Sequence, residues 1–308
     1  MKNFVISVDS SACFSERELK ETGILMARLS YTLDGREYVD EFESGDEKQE
    51  FYDKLAAGSL AQSSKVNPGS FIALWEPVLQ RGVNILHLSL SSGVSGSYES
   101  ACYAAKELMS KYEGRIEVID TRTGSYALTA IAEDLVRLQE TLNLDEAKQY
   151  TFERLNEYNL VFSVGDIKYL RRGGRISHIK ALLGGLLHLK PVLFINEEGR
   201  ITLLSNARGM RQALEMMLQK MKFSETENTT FAYIAHGGDV SLAERLKEKI
   251  KEAFPAIQRF KVDYLTPVLG LHAGPGSLVL CFRGAPREHV LADKPIRDLI
   301  ERFHHPKP

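Results

Sequence analysis

Several separated stretches of this chain carry side chains able to act on a ligand. Ser91-Ser92-Gly93-Val94-Ser95-Gly96-Ser97 is a run of hydroxyls and glycines directly after the apolar segment Asn84 to Leu90. Such a run opening a helix presents free backbone N–H groups and the positive end of the helix dipole. Those favour an anion by ~0.3–1 kcal/mol, and by up to ~2 kcal/mol when partly buried. The hydroxyls of Ser95 and Ser97 could donate to the same anion, or one of them could simply cap the helix. The segment also approaches the Gly-x-Ser-x-Gly nucleophile elbow, but Ser97 stands where the last glycine belongs and Gly96 already follows Ser95. Ser63-Ser64 is a second hydroxyl pair, in a polar loop ahead of a helix that Pro68 starts. The basic turn Arg171 to Arg175 offers a guanidinium beside two glycines that let backbone approach a ligand. Leu271-His272-Ala273-Gly274-Pro275-Gly276 reads as a histidine at a loop tip, whose imidazole can donate to a carboxylate. His236-Gly237-Gly238 is similar and is read as structural.

Other chemistries are not indicated. The three cysteines, Cys13, Cys102 and Cys281, are far apart and form no Cys-x-x-Cys, and there is no His-Glu-x-x-His. Metal catalysis and thiol redox chemistry are not expected, and no phosphate-cradling Gly-x-x-x-x-Gly-Lys-Ser/Thr occurs. Lys+Arg 39 against Asp+Glu 41 leaves a formal charge of −2, without the basic excess a nucleic-acid or polybasic membrane binder needs. No stretch approaches the ~18 apolar residues of a membrane span. The opening Met1-Lys2-Asn3-Phe4-Val5-Ile6-Ser7-Val8-Asp9 does not read as a signal peptide, so a cytoplasmic protein is expected.

The elements that must position these groups follow from the pattern. Phe4 to Val8, Asn84 to Leu90 and Ile116 to Ile119 are short apolar runs, each closed by polar residues and followed by helical spacing. Ile24 to Thr32 suits a further strand. Strand, loop and helix in repetition imply a mainly parallel α/β sheet for the first part, with function at the carboxyl ends of its strands. Beyond about residue 158 the texture becomes mixed. Strands at Leu160 to Val164, Lys190 to Asn196, Arg200 to Ser205, Thr230 to Ala235, Arg259 to Tyr264 and Ser277 to Phe282 alternate with helices Met210 to Met221 and Leu242 to Ala253. The length of 308 residues favours more than one core. The division expected is an α/β domain over 1–158, a mixed α/β domain over 159–283 and a tail over 284–308 with at most one short helix.

Taken together, Asp9-Ser10, Ser63-Ser64, Ser91 to Tyr98, Tyr169 to Ser177 and His272-Ala273-Gly274-Pro275-Gly276 resemble the DegV family in order and spacing. The resemblance covers residues 1 to about 283. It implies a bacterial lipid carrier of two α/β domains with one long-chain fatty acid, such as palmitate, between or beneath them. The acid would be presented to a separate fatty acid kinase that makes an acyl phosphate. On this resemblance Ser63 and Ser95 are the carboxylate donors, with Ser64, Gly96, Ser97, Arg175 and His272 behind them. It implies no catalytic residue, metal or cofactor, and no stable membrane insertion, though transient membrane contact would suit such a carrier. The chain departs from the family pattern by serine for threonine at Ser63 and Ser97, which loses a methyl and its stiff rotamer. Lys65 and Val66 replace glutamine and proline, so a cation stands near the expected headgroup. Leu182, Leu183, Leu186 and Leu187 are a candidate tunnel lining or plain core. Two other readings remain at this point: a serine hydrolase using Ser95 with His272 as base, and a sensor of another small anion.

Overall fold

The computed structural model describes residues 4–42, 44–176 and 189–287. Three sheets organise it. In the first, β1 (Phe4–Asp9), β2 (Leu25–Ala27), β6 (Asn84–Ser89) and β7 (Ile116–Asp120) run parallel in the order β2-β1-β6-β7. Helices α3 (Pro68–Leu79), α4 (Ser97–Met109) and α5 (Ser125–Leu138) connect or cover these strands. Pro68 opens α3 behind Asn67, whose side chain accepts from the Ser70 N–H. The buried face of α4 is built from Ser100, Ala101, Ala104, Ala105 and Leu108, short side chains that let the helix lie close to its neighbours.

The second sheet contains β8 (Tyr158–Ser163), β9 (Lys190–Ile195), β10 (Ile201–Ala207), β11 (Phe231–His236), β12 (Arg259–Tyr264) and β13 (Leu278–Arg283). Its order is β10-β9-β8-β13-β11-β12, with only β11 and β12 parallel. The mixed α/β architecture expected from the sequence is therefore present. Side-chain alternation divides the two faces of this sheet. Val161 and Val192 belong to the core under α8 (Met210–Phe223) and α9 (Val240–Ala253), whereas Leu160, Phe162, Leu193 and Ile195 belong to the core shared with the first sheet. Helix α5 lies between the sheets, touching β1 on one side and β8, β11 and β13 on the other. That position explains why Tyr126, Ala127, Leu128, Ala130, Ile131, Ala132 and Leu135 are all buried.

A small antiparallel sheet, β4-β3-β5, joins β3 (Ser30–Leu33), β4 (Arg36–Val39) and β5 (Ala61–Ser64). Two expectations change here. The single strand Ile24 to Thr32 is two strands in different sheets, β2 and β3, broken at Arg28-Leu29. The Leu29 N–H is turned onto Ser10 Oγ at 3.0 Å, which fixes the corner. Ser63 and Ser64 lie on β5 rather than in a loop. Ala-Gln-Ser-Ser has little strand propensity of its own, but pairing with β3 satisfies its backbone. The leucines 182, 183, 186 and 187 and nearly all of the expected tail fall outside the described residues. No helix among the described residues is long and apolar enough to cross a membrane.

Candidate functional site

The loop after β6 starts α4 at the carboxyl end of the parallel sheet, where such sheets gather function. Ser91 and Gly93 anchor it. Ser91 Oγ donates to the Gly199 carbonyl at 2.7 Å, and a Cβ added at Gly93 would meet that oxygen at 2.6 Å. Gly93 thus permits close approach of the β9–β10 turn. Past this anchor, Ser95 Oγ accepts from the Ser97 N–H at 3.2 Å and lies 3.0 Å from Ser97 Oγ. Ser97 Oγ accepts from the Val66 N–H at 3.3 Å, which ties the residues after β5 to the start of α4. Gly96 is the N-cap of α4 and makes no side-chain cap bond.

Facing this turn is α10 (Pro267–Ala273), which carries His272 in its last turn. The histidine expected at a loop tip is therefore helical and partly buried, because Pro267 starts a short helix and Gly274, at φ +78°, ends it. Thr266 gives no side-chain cap. Instead Asp40 Oδ1 accepts from the Val268 N–H at 2.7 Å while its Oδ2 accepts from Ser10 Oγ at 2.6 Å. Burial pushes the Asp40 carboxyl up to about 7, although these bonds and others oppose the shift. Nothing in the local sequence marks Asp40 as a cap for a helix more than two hundred residues away.

His272 Nε2 lies 2.8 Å from Ser63 Oγ. Burial, with the Arg175 guanidinium nearby, pulls this histidine down to about 3, so its ring is neutral. Its Nδ1 has no partner among the described residues and lies against Gly173, where an added Cβ would meet Nδ1 at 2.1 Å. A buried unpaired N–H is rarer than an unpaired acceptor. The proton therefore belongs on Nε2, donated to Ser63 Oγ, and the Ser63 hydroxyl hydrogen is free for another acceptor. Arg175 follows α7 (Lys168–Arg172) in the turn and donates to two backbone carbonyls, Val94 at 3.1 Å and Gly173 at 2.5 Å. Burial draws its guanidinium below the ordinary value.

The structure thus brings Ser63, Ser95, Gly96, Ser97, Arg175 and His272 together. Ser64, next along β5, is exposed and its side chain makes no hydrogen bond to this cluster, yet it lines the same cavity as Ser63. Ser63, Lys65, Ser95, Arg175 and His272 line one end of a cavity of about 120 Å³. Ser91, Thr123 and Ser125 also border it, and most of the rest of its wall is apolar and comes from strand faces and α10, among them Leu160, Phe162, Ile195, Ile201, Val268 and Val279. The sequence did not reveal this wall. Leu160 and Phe162 at i and i+2 mark one face of a strand, but Val161 makes the other face equally apolar. The hydrolase reading lacks its geometry: His272 bonds to Ser63 rather than Ser95, and no carboxylate among the described residues orients its Nδ1.

Comparison with known proteins places the chain among relatives. A family model described as "Uncharacterised protein, DegV family" matches residues 3–284. A DegV domain-containing protein of Clostridium perfringens is 33% identical over 291 residues, covering 94% of this chain and 100% of that one. Among solved structures, a DegV family protein from Thermus thermophilus described by its fatty acid binding superposes with a TM-score of 0.82 at 26% identity, over 92% of this chain and 99% of that one. A stearic acid-binding protein from Eubacterium ventriosum shares the fold, with a TM-score of 0.79 at 21% identity over 91% and 98% of the two chains.

Proposed function

The chain belongs to the DegV family, and from that premise we propose that it binds one long-chain fatty acid between its two larger sheets and presents the carboxylate to a separate kinase. The single observation that carries the reading is a cavity with hydroxyls, Arg175, His272 and a helix amino terminus at one end and aliphatic and aromatic strand faces elsewhere. In this reading Ser63 and Ser95 donate to the carboxylate, and the α4 terminus adds its dipole. Arg175 and His272 stand behind them as positioning groups, with residues 1–158 and 159–283 as the two domains enclosing the lipid.

Magnitudes assign the roles. A hydrogen bond to a charged group is worth ~1.5–3 kcal/mol, and each enclosed methylene ~0.8 kcal/mol. About ten buried methylenes contribute ~8 kcal/mol, so the tail sets affinity and the head sets orientation. A cavity of 150 Å³ holds about one benzene. By that measure 120 Å³ takes the head and the first few carbons, and a longer tail requires the wall to open. Part of the methylene gain is then offset by that opening.

In the presentation step a carboxylate oxygen bonds to the γ-phosphorus of ATP held by the kinase. The bond from that phosphorus to the β-phosphate bridging oxygen breaks, and ADP leaves. The chain itself supplies no nucleotide motif. The test is to load purified protein with palmitate and add ATP with or without a bacterial fatty acid kinase. Acyl phosphate is expected only with both proteins present; turnover by this chain alone, or none with the pair, would refute the presentation role.

A further inference from the structure

The β9–β10 turn, residues 196–200, borders the lipid cavity: Ile195 before it and Ile201 after it both line the wall. Three of its carbonyls are held by side chains from elsewhere in the fold. Ser91 Oγ donates to Gly199 at 2.7 Å, Arg122 Nη1 to Glu197 at 3.2 Å and Arg287 Nη1 to Asn196 at 3.1 Å. Arg287 is only 1% exposed, and its Nη1 also donates to the Arg122 carbonyl at 2.6 Å. Its Nη2 donates to the Leu155 carbonyl at 3.2 Å and to Asn156 Oδ1 at 3.1 Å. One side chain therefore fastens three segments: the loop after β7, the turn Leu155–Glu157 and the β9–β10 turn. A guanidinium suits this task, because it holds five N–H donors in one rigid plane and its charge strengthens each bond. The backbone beneath it is tied down as well. After β13 the N–H groups of Gly284, Ala285 and Arg287 donate to the carbonyls of Glu157, Ser224 and Asn156 at 2.9, 2.7 and 3.0 Å. A Cβ on Gly284 would meet the Ser224 oxygen at 2.2 Å, so glycine permits the close passage of this strap.

We propose that Arg287 is a positioning residue for the lipid tail: by fastening the β9–β10 turn it holds Ile195 and Ile201 in the cavity wall and limits the acyl length the cavity accepts. The inference rests on the fatty acid reading above and deepens it by naming a residue that sets its chain-length selectivity. A short acid fits the closed cavity, whereas a long one must move the wall outward. Each bond to the turn resists that movement, so a long tail works against Arg287 and a short one does not.

Arg287→Met deletes the donors while keeping much of the side chain's bulk and leaving no buried charge behind. Octanoate, palmitate and stearate are titrated against the full chain by displacement of a fluorescent fatty acid. The variant should bind octanoate within about twofold of wild type and stearate at least about fivefold more tightly, with palmitate between them. Arg287→Lys, which keeps a cation but not the planar fork, should shift the stearate-to-octanoate preference by less. Arg122→Asn removes only an exposed guanidinium and keeps a residue type that tolerates the φ of +50° found there. It should move the preference the same way, by about twofold, and carries the test should Arg287→Met not fold. A uniform change across the three acids, or an unchanged preference in Arg287→Met, or in Arg122→Asn where Arg287→Met does not fold, would overturn the role of Arg287. Wild-type protein that binds none of the three acids would refute the parent reading instead, which separates the two failures.

Discussion

Replacing Ser63 by alanine is the sharpest perturbation of the headgroup reading. The Ser63 hydroxyl accepts Nε2–H from neutral His272 at 2.8 Å and keeps its own hydrogen for the ligand. Removing it deletes one bond to a carboxylate, ~1.5–3 kcal/mol, or roughly 10- to 150-fold in Kd. The fold should survive, because Ser63 is held in the sheet by its backbone pairing with Tyr31 rather than by its side chain. Displacement of a fluorescent fatty acid from delipidated protein gives the affinity, measured in parallel for palmitate and for hexadecanol, which has the same tail and no charge. Wild type should favour palmitate strongly, and Ser63→Ala should erase most of that preference while changing hexadecanol little. Palmitate affinity within twofold of wild type, or an equal loss for both ligands, would refute the role of this hydroxyl.

Three further outcomes are expected. Gly173→Ala has acceptable backbone geometry, so its effect is the Cβ meeting His272 Nδ1 at 2.1 Å; palmitate affinity should fall as far as in His272→Ala, with a lower melting temperature because the buried ring must shift, as binding and thermal scans will show. Val279→Phe, on the cavity wall of β13, should shift preference toward shorter acyl chains, since each methylene it excludes forfeits ~0.8 kcal/mol, read by competition among C10 to C18 acids. The third concerns acid stability. His87, fully buried between Phe71 and Trp75, is pulled down to about 3 by burial, against 6.5 unfolded. Below pH 6.5 the unfolded chain takes up a proton that the fold refuses, so this contribution to stability is full above 6.5 and drains away toward pH 3. His272 behaves alike, whereas buried Asp40 and Asp9, raised from their ordinary value by burial, oppose this trend, because the fold takes up their protons at higher pH than the unfolded chain does. His87→Leu should therefore lose less on acidification than wild type, by up to about 1.4 kcal/mol per pH unit between 6.5 and 4; parallel urea curves over that range would contradict the assignment.

Where the sequence was readable, the reason is physical. Apolar runs that end in Asp9, Ser91 and Asp120 mark strands feeding loops, and Pro68 and the helical spacing after it mark α3. Hydroxyls and glycines at the start of α4 point to an anion site without any knowledge of its partners. The unreadable parts depend on distant contacts. β5 is a strand because β3 pairs with it, and α10 is capped by Asp40 from across the fold. The apolar wall could not be separated from ordinary core, because β8 buries both of its faces and only the packing of α8 and α9 decides which one meets the cavity. The contact between His272 and Ser63 joins residues 209 apart in the chain, and no local pattern encodes it.

Lipid carriage by this chain is open to one direct measurement: mass spectrometry of the organic extract from denatured protein purified out of bacteria, quantified against protein. About one equivalent of a C14 to C18 fatty acid, depleted in the Ser63→Ala and Ser95→Ala proteins, is the predicted result. An extract free of acyl chains, from protein that also fails to take up added palmitate, would contradict it.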